Sequence, residues 1–310
     1  MLHRLNALCW NTFREGVRAR LLLGLLAALA ASAVVGALVG QLAIREQLRV
    51  LADTAAASVS LFSGLAAVVF MATSLHRDVE QRTLFPVLAR PVARYEVLLG
   101  KWAGAWILIA VFSLVGTGVS LLVLALVAGA SALAIAAACA LTGLSVWTAR
   151  RQMRRAPDVS WLVAGVLLLG AGWAFASPLT EEATLLLHAA VLTLQEGAIL
   201  LAIGVLFSSF SRPAITGLMT AGIWIAGRNA DTLAHMSARQ VGAPAAAAGA
   251  ALAPVLPNMQ LYAPSRSILL GTDDMYSYAS YVWVALGLAA AYSVFALVVA
   301  SWVFSKRDLT

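Results

Sequence analysis

Charge is what this sequence has least of. Asp, Glu, Lys and Arg together make up 11% of its 310 residues, against about 25% in a soluble domain. Apolar residues reach 62%, and mean hydropathy is +0.89. A soluble globule of this size could not hide so much apolar surface, because much of its area stays wet. Disorder is excluded as well, since it requires few apolar residues and many charges. Cysteine is limited to Cys9, before the first apolar stretch, and Cys139, inside one. No disulfide between them is expected, and no CxxC metal spacing exists. Histidine is confined to the scattered His3, His76, His188 and His235, with no HExxH. Serines such as that in Gly143-Leu144-Ser145 have no evident base, which weighs against an intramembrane enzyme. There is no GxxxxGK[ST] loop to cradle ATP. What remains is a protein dissolved in a bilayer.

Net charge is +7 and the pI is near 10. In a bilayer protein this excess reflects orientation, because Lys and Arg collect in cytoplasmic loops. No nucleic-acid partner is expected.

A helix needs about 20 apolar residues to cross the hydrocarbon. The apolar runs predict an all-α polytopic membrane protein with about eight transmembrane helices, over 21–44, 55–76, 98–123, 126–149, 160–177, 184–209, 213–230 and 279–304. Trp102 to Ala149 carries no charge and is about two spans long, so it should fold as a hairpin turning at Gly129 and Ser131. The stretch 160–177 is short, and 213–230 contains Gly217, Gly222 and Gly227. A six-span reading makes those two re-entrant or interfacial. The basic start and the run LLLGLLAALA resemble a secretion signal. The long basic region and the continuation of the apolar run to Ile44 argue against cleavage.

Charge placement sets the topology. With the N-terminus inside and eight crossings, most of the 21 basic residues fall in the cytoplasm, in 4–20, 77–101, 150–155, Arg212 and 306–307. Glu181–Glu182 and Asp273–Asp274 fall outside, together with Arg45, Arg49, Arg228, Arg239 and Arg266. Both termini are then cytoplasmic. The longest loop, 231–278, is too short for a soluble domain. Residues 1–20 form a cytoplasmic interfacial helix, and 21–310 form a single transmembrane domain.

Two cytoplasmic features stand out. In residues 2–20, Leu5, Leu8, Cys9, Phe13 and Val17 recur at helical spacing, with His3, Arg14, Glu15 and Arg18 on other faces. This predicts an amphipathic helix in the headgroup plane, its arginines paired to anionic membrane lipid. A topological anchor and a lever touched by a partner are both open readings. The second feature is the loop 77–96, the densest charge cluster. Asp78 and Arg82 are i,i+4, and Val79, Leu84, Val87 and Leu88 form one apolar face. A short helix over 78–90 is cut by Pro91, and Arg94–Lys101 begins the next span. This loop is longer than a helical hairpin needs. It either docks a cytoplasmic partner or is a solvated positive-inside loop.

The residues here resemble a known family. Glu80-x-Arg82-Thr83-Leu84, followed by Leu88-x-Arg90-Pro91-Val92-x-Arg94-x-Glu96-x-Leu98-x-Gly100-Lys101, is similar to the coupling-helix region of ABC type-2 (ABC-2) exporter permeases. Thr12-Phe13-Arg14-Glu15 resembles their N-terminal amphipathic helix. Leu206-Phe207-Ser208-Ser209-Phe210, Leu256-Pro257-Asn258 and Phe304-x-x-Arg307-Asp308-Leu309 resemble three later elements of the family, in the same order. The resemblance is nearest to permeases that serve the maturation of nitrous oxide reductase, and no substrate follows from it. The family usually has six spans, so the departure is a hairpin inserted around Arg150–Arg155.

The resemblance implies a multi-pass protein of the bacterial inner membrane, working as a homodimer on two copies of a separate ABC ATPase subunit. ATP and Mg would sit on that ATPase. This chain itself would hold no cofactor and no metal, and would not be an enzyme. Asp78, Glu80, Arg82 and Arg90 would make charged docking contacts, and Leu84, Phe85 and Leu88 would fill a groove. Thr83 and Arg94 belong to the same motif.

Gln195 and Glu196 lie mid-span in 184–209 and are candidates for a pathway. A carboxylate there should face protein or water. His188 is expected to be packed or interfacial, and Asn229 and Asp231 to cap the outer end of 213–230. Tyr262, Tyr276, Tyr278, Tyr281 and Trp283 suit an outer aromatic belt. The outer loop 231–278 is one place for a periplasmic partner. A secondary transporter would show an internal repeat and several buried charges, which are not evident. A subunit that transmits ATP-driven motion without transport differs from an exporter only by assay.

Overall fold

The computed structural model describes residues 2–43, 46–80, 93–152, 157–235, 256–273 and 277–306, with residues 247, 249 and 251. Among these there are α-helices and no strands. In chain order they are α1 (Leu2–Val17), α2 (Arg20–Leu42), α3 (Gln47–Glu80), α4 (Arg94–Val127), α5 (Ala132–Gln152), α6 (Ser160–Ala176), α7 (Thr180–Ser208), α8 (Pro213–Arg228), α9 (Ala230–Ala234), α10 (Arg266–Leu270) and α11 (Tyr278–Ser305). Single 3-10 turns lie at Pro157–Val159 and Met259–Tyr262.

Each of the eight expected spans coincides with a helix. Six of them, α2, α3, α4, α5, α7 and α11, are long and apolar enough to cross a bilayer. The other two are the pair that the six-span reading set apart. α6 has 17 residues and α8 has 16. At 1.5 Å per residue they extend about 26 and 24 Å, less than the roughly 30 Å of hydrocarbon. By contrast, α3 and α4 have 34 residues each. Both run about 20 Å beyond the hydrocarbon thickness.

Local chemistry sets several boundaries. Gly129 takes φ 98° directly after α4, a conformation costly for any residue with a Cβ. Ser131 Oγ then accepts from Ala134 N at 3.4 Å, at the start of α5. The expected turn is therefore where the sequence put it. α4 opens at Arg94, where Glu96 accepts from Ala93 N at 3.4 Å. Pro213 starts α8, where its missing N–H costs nothing.

α7 is the central helix. It packs against α3, α4, α8, α10 and α11. Trp102 and Trp106 donate to the Ala198 and Leu194 carbonyls, each at 3.0 Å, and fasten α4 along it. α6 lies along α4 at very close range. A Cβ on Gly118 would meet the Leu168–Leu169 backbone at 2.7 Å, and one on Gly172 would meet the Gly118 carbonyl at 2.8 Å. Small residues permit that approach. α5 is the outlier, with almost none of its apolar length buried. Leu133, Leu141, Leu144 and Trp147 point outward from it, as lipid-facing side chains do.

Candidate functional site

The first site lies at the end of the bundle that carries α1. The α1 face made by Leu8, Cys9, Thr12, Phe13 and Gly16 lies on α4. A Cβ on Gly100 would meet Leu8 Cβ at 2.6 Å, and one on Gly104 would collide with the Cys9 carbonyl. Phe13 is fully buried, and Leu5, at the start of the same face, is half-buried. The apolar stripe read from the sequence thus packs on protein. Burial raises the Cys9 thiol above its ordinary pKa.

A buried polar knot ties three helices together here. Lys101 of α4 donates to Ser74 Oγ at 2.9 Å and to the Ser74 carbonyl at 3.3 Å. Ser74 of α3 donates to Glu15 of α1 at 3.1 Å, and Lys101 Nζ lies 3.9 Å from the same carboxylate. Arg14 and Arg18 were expected on anionic lipid. In the structure both meet Asp158, each at 3.3 Å. Asp158 lies in the 3-10 turn that precedes α6, so α1 is tied to the start of that helix as well.

The segment between α3 and α4 carries most of the expected docking residues. Asp78 and Glu80 lie in the last turns of α3, and Arg94 is the first residue of α4. Arg82, Thr83, Leu84, Phe85, Leu88 and Arg90 lie outside the described residues. The Lys101–Ser74–Glu15 knot therefore stands within about two helical turns of the end of α3 and of the start of α4.

The second site is mid-bundle. Glu196 lies near the middle of α7 and is 1% exposed. Arg228, the last residue of α8, donates to it from Nε at 2.9 Å and from Nη2 at 2.7 Å. Trp224 Nε1 donates to Glu196 at 2.8 Å, and Ser60 of α3 donates at 3.2 Å. Arg228 Nη2 also bonds Ser60 Oγ. The expectation that this acid faces protein holds. Its partner was misplaced: Arg228 was counted among the outside cations, at the end of 213–230, yet α8 ends inside the bundle and delivers it to Glu196. Gln195 is buried beside it, and its Oε1 has no partner among the described residues.

The chain beyond α8 explains why that helix can stop there. Residues 256–273 fold back over its end. A Cβ on Gly227 would collide with the Pro257 carbonyl, and Met259 is fully buried. Asn229 caps α8 through Ile225 O at 2.8 Å, as expected, and Asp231 accepts from Asn258 at 3.4 Å. Tyr262 donates to Ala285 O at 3.0 Å, Tyr281 to Leu261 O at 2.7 Å and Tyr278 to His188 O at 3.1 Å. These three are internal ties, whereas Trp283 is exposed as a belt residue would be. Burial, and then the charge of Glu196, push the Tyr262 phenol pKa up, so it stays a donor. His188 is packed, stacked on Tyr278 at 3.5 Å between centroids. Arg266 of α10 pairs with Asp53 of α3 at 2.9 Å and with Glu182 of α7 at 3.4 Å.

Sequence reasoning missed Arg228, Ser60 and Asp158. The available signal was a basic residue closing an apolar stretch too short to cross, which placed a cation at the depth of Glu196. Among the described residues, no three His, Cys, Asp or Glu side chains cluster as a metal site.

Six apolar helices long enough to span a bilayer, with charged networks buried between them, define a multi-pass membrane protein. The chain belongs to the ABC-2 family of transporter proteins, whose family model matches residues 6–309. No curated protein matches it significantly. Membership makes it a membrane component of an ABC transporter, typically non-catalytic, and implies an ABC ATPase partner.

Proposed function

We propose that this chain is the permease subunit of an ATP-driven exporter, paired with a second copy of itself and driven by two ATPase subunits docked on residues 77–96. The observation that carries this reading is the Lys101–Ser74–Glu15 knot. ATPase halves that close on ATP and Mg would shift a segment seated between them. α3 and α4 continue directly from that segment, and the knot makes α1 move with them. Packed helices are bistable, so a small shift of this kind becomes a discrete rearrangement. The cations of 77–101 and α1 support a cytoplasmic position for this end, with both termini inside and the protein in the inner membrane. The opposite end, carrying residues 256–273, would then face the periplasm and any partner there.

The test is to tag the chain in its native membrane, purify it in mild detergent and identify what hydrolyses ATP in the eluate. A stoichiometric ABC ATPase, with Mg-ATP-dependent cargo release in reconstituted vesicles, is the expected outcome. ATP turnover that moves no cargo would reassign the chain to a subunit that transmits force to a partner. An eluate without ATPase would refute the proposal.

A further inference from the structure

A cavity of about 280 Å³ opens between α3, α7 and residues 256–273. Its mouth carries Asp53 and Arg266, and its inner end carries Ser60 and Arg228. Ala57, Leu185 and Ala189 give it an apolar wall, and Thr193 adds a hydroxyl. The acids around it are engaged. Glu196 spends both oxygens on Arg228, while Asp53 and Glu182 share Arg266.

Arg228 is only partly engaged. Guanidinium presents five N–H donors in a rigid fork. Nε and Nη2 are used, but among the described residues Nη1 has no hydrogen-bond partner. The side chain is 26% exposed, and Arg228 borders the cavity. That edge is a charge-assisted donor bordering the cavity, and a ligand oxyanion can accept from it. An anion on Nη1 would also leave the Glu196 pair intact.

We infer that this cavity binds a small amphiphile through an anionic oxyacid group, carboxylate or phosphate, bonded to Arg228 Nη1. Its apolar portion lies along Ala57, Leu185 and Ala189. A lipid headgroup and a free phosphate share this chemistry. The inference rests on the cavity and the guanidinium alone, and holds whether or not an ATPase drives the chain.

The test uses the full chain in nanodiscs, with Cys9→Ser and Cys139→Ser, and Ala57→Cys as a reporter on the exposed wall. Labelling by a charged maleimide is followed with octyl phosphate, inorganic phosphate or octyltrimethylammonium present. Octyl phosphate should slow labelling, and the cationic amphiphile should not. Protection by inorganic phosphate as well assigns the site to free anions; protection by octyl phosphate alone assigns it to lipid-like ligands. Arg228→Lys keeps a cation for Glu196 but removes the second edge, so the octyl phosphate needed for protection should rise roughly tenfold. Glu196→Gln with Arg228→Gln should abolish protection. An unreactive Ala57→Cys reporter, no protection by either phosphate, equal protection by the cation, or protection unchanged in Arg228→Lys would overturn the inference.

Discussion

Arg228 holds Glu196 by two parallel bonds, at 2.9 and 2.7 Å, and so pins the end of α8 to the middle of α7. Fork-to-fork geometry of this kind fixes orientation as well as energy. Trp224, one turn earlier on α8, adds its indole N–H to the same carboxylate. Its ring occupies the space beside Gly64 of α3, where a Cβ would collide with it. Three helices are therefore registered by one buried acid.

That registration predicts an asymmetric mutational response. Glu196→Ala leaves the guanidinium in apolar surroundings with Ser60 as its remaining partner and should cost about 3 kcal/mol. Glu196→Gln with Arg228→Gln removes both charges and keeps hydrogen bonding, so it should cost much less than the two single changes summed. Thermal unfolding of the detergent-solubilised chain measures this. Additive losses would show that the two side chains do not act as a pair.

The acid was legible in the sequence because a carboxylate inside a long apolar run has few inexpensive explanations. The helices were legible for the same reason: runs of that length and hydropathy fold in a bilayer only as spans. Gly129 and Ser131 announced their turn, and the span expected to begin within Arg94–Lys101 does begin at Arg94. The partners were not legible. Arg228 lies far from Glu196 along the chain, Ser60 is one hydroxyl among many, and nothing local separates Asp158 from any loop acid. Pairing across helices is decided by where each helix stops, and the early stop of α8 depends on residues 256–273 folding back over it. The tyrosines mislead for a related reason. An amphipathic ring suits a membrane interface and a buried tie to a carbonyl equally well.

The knot at the other end predicts a loss of coupling without loss of assembly. Lys101→Met removes the buried cation between Ser74 and Glu15. Stability should fall by about 1–2 kcal/mol, the cost of a half-satisfied polar cluster. The ATPase should still co-purify, while ATP turnover should no longer respond to the permease. Wild-type stimulation in this variant would remove the knot from the account.

The seat of α1 predicts a reactivity change at Cys9. Its pKa is raised, so the folded chain favours the neutral thiol. That contribution to stability is full below the thiol's unfolded value and declines as pH rises above it, when the unfolded chain ionises first. In a Cys139→Ser background, maleimide should modify Cys9 slowly near neutral pH and faster as pH rises. Gly104→Val places side-chain atoms against the Cys9 carbonyl and should displace α1. Labelling should then accelerate by about tenfold. Unchanged labelling would mean that α1 does not depend on this contact.

The most direct test of the coupling proposal is the pair of changes Phe85→Asp and Arg82→Glu, made together. Co-purification of the ATPase and permease-stimulated ATP hydrolysis are then measured against the unaltered complex. The account predicts that both are lost while the permease itself remains folded and membrane-inserted. An ATPase that stays bound and hydrolyses ATP at the unaltered rate would contradict it.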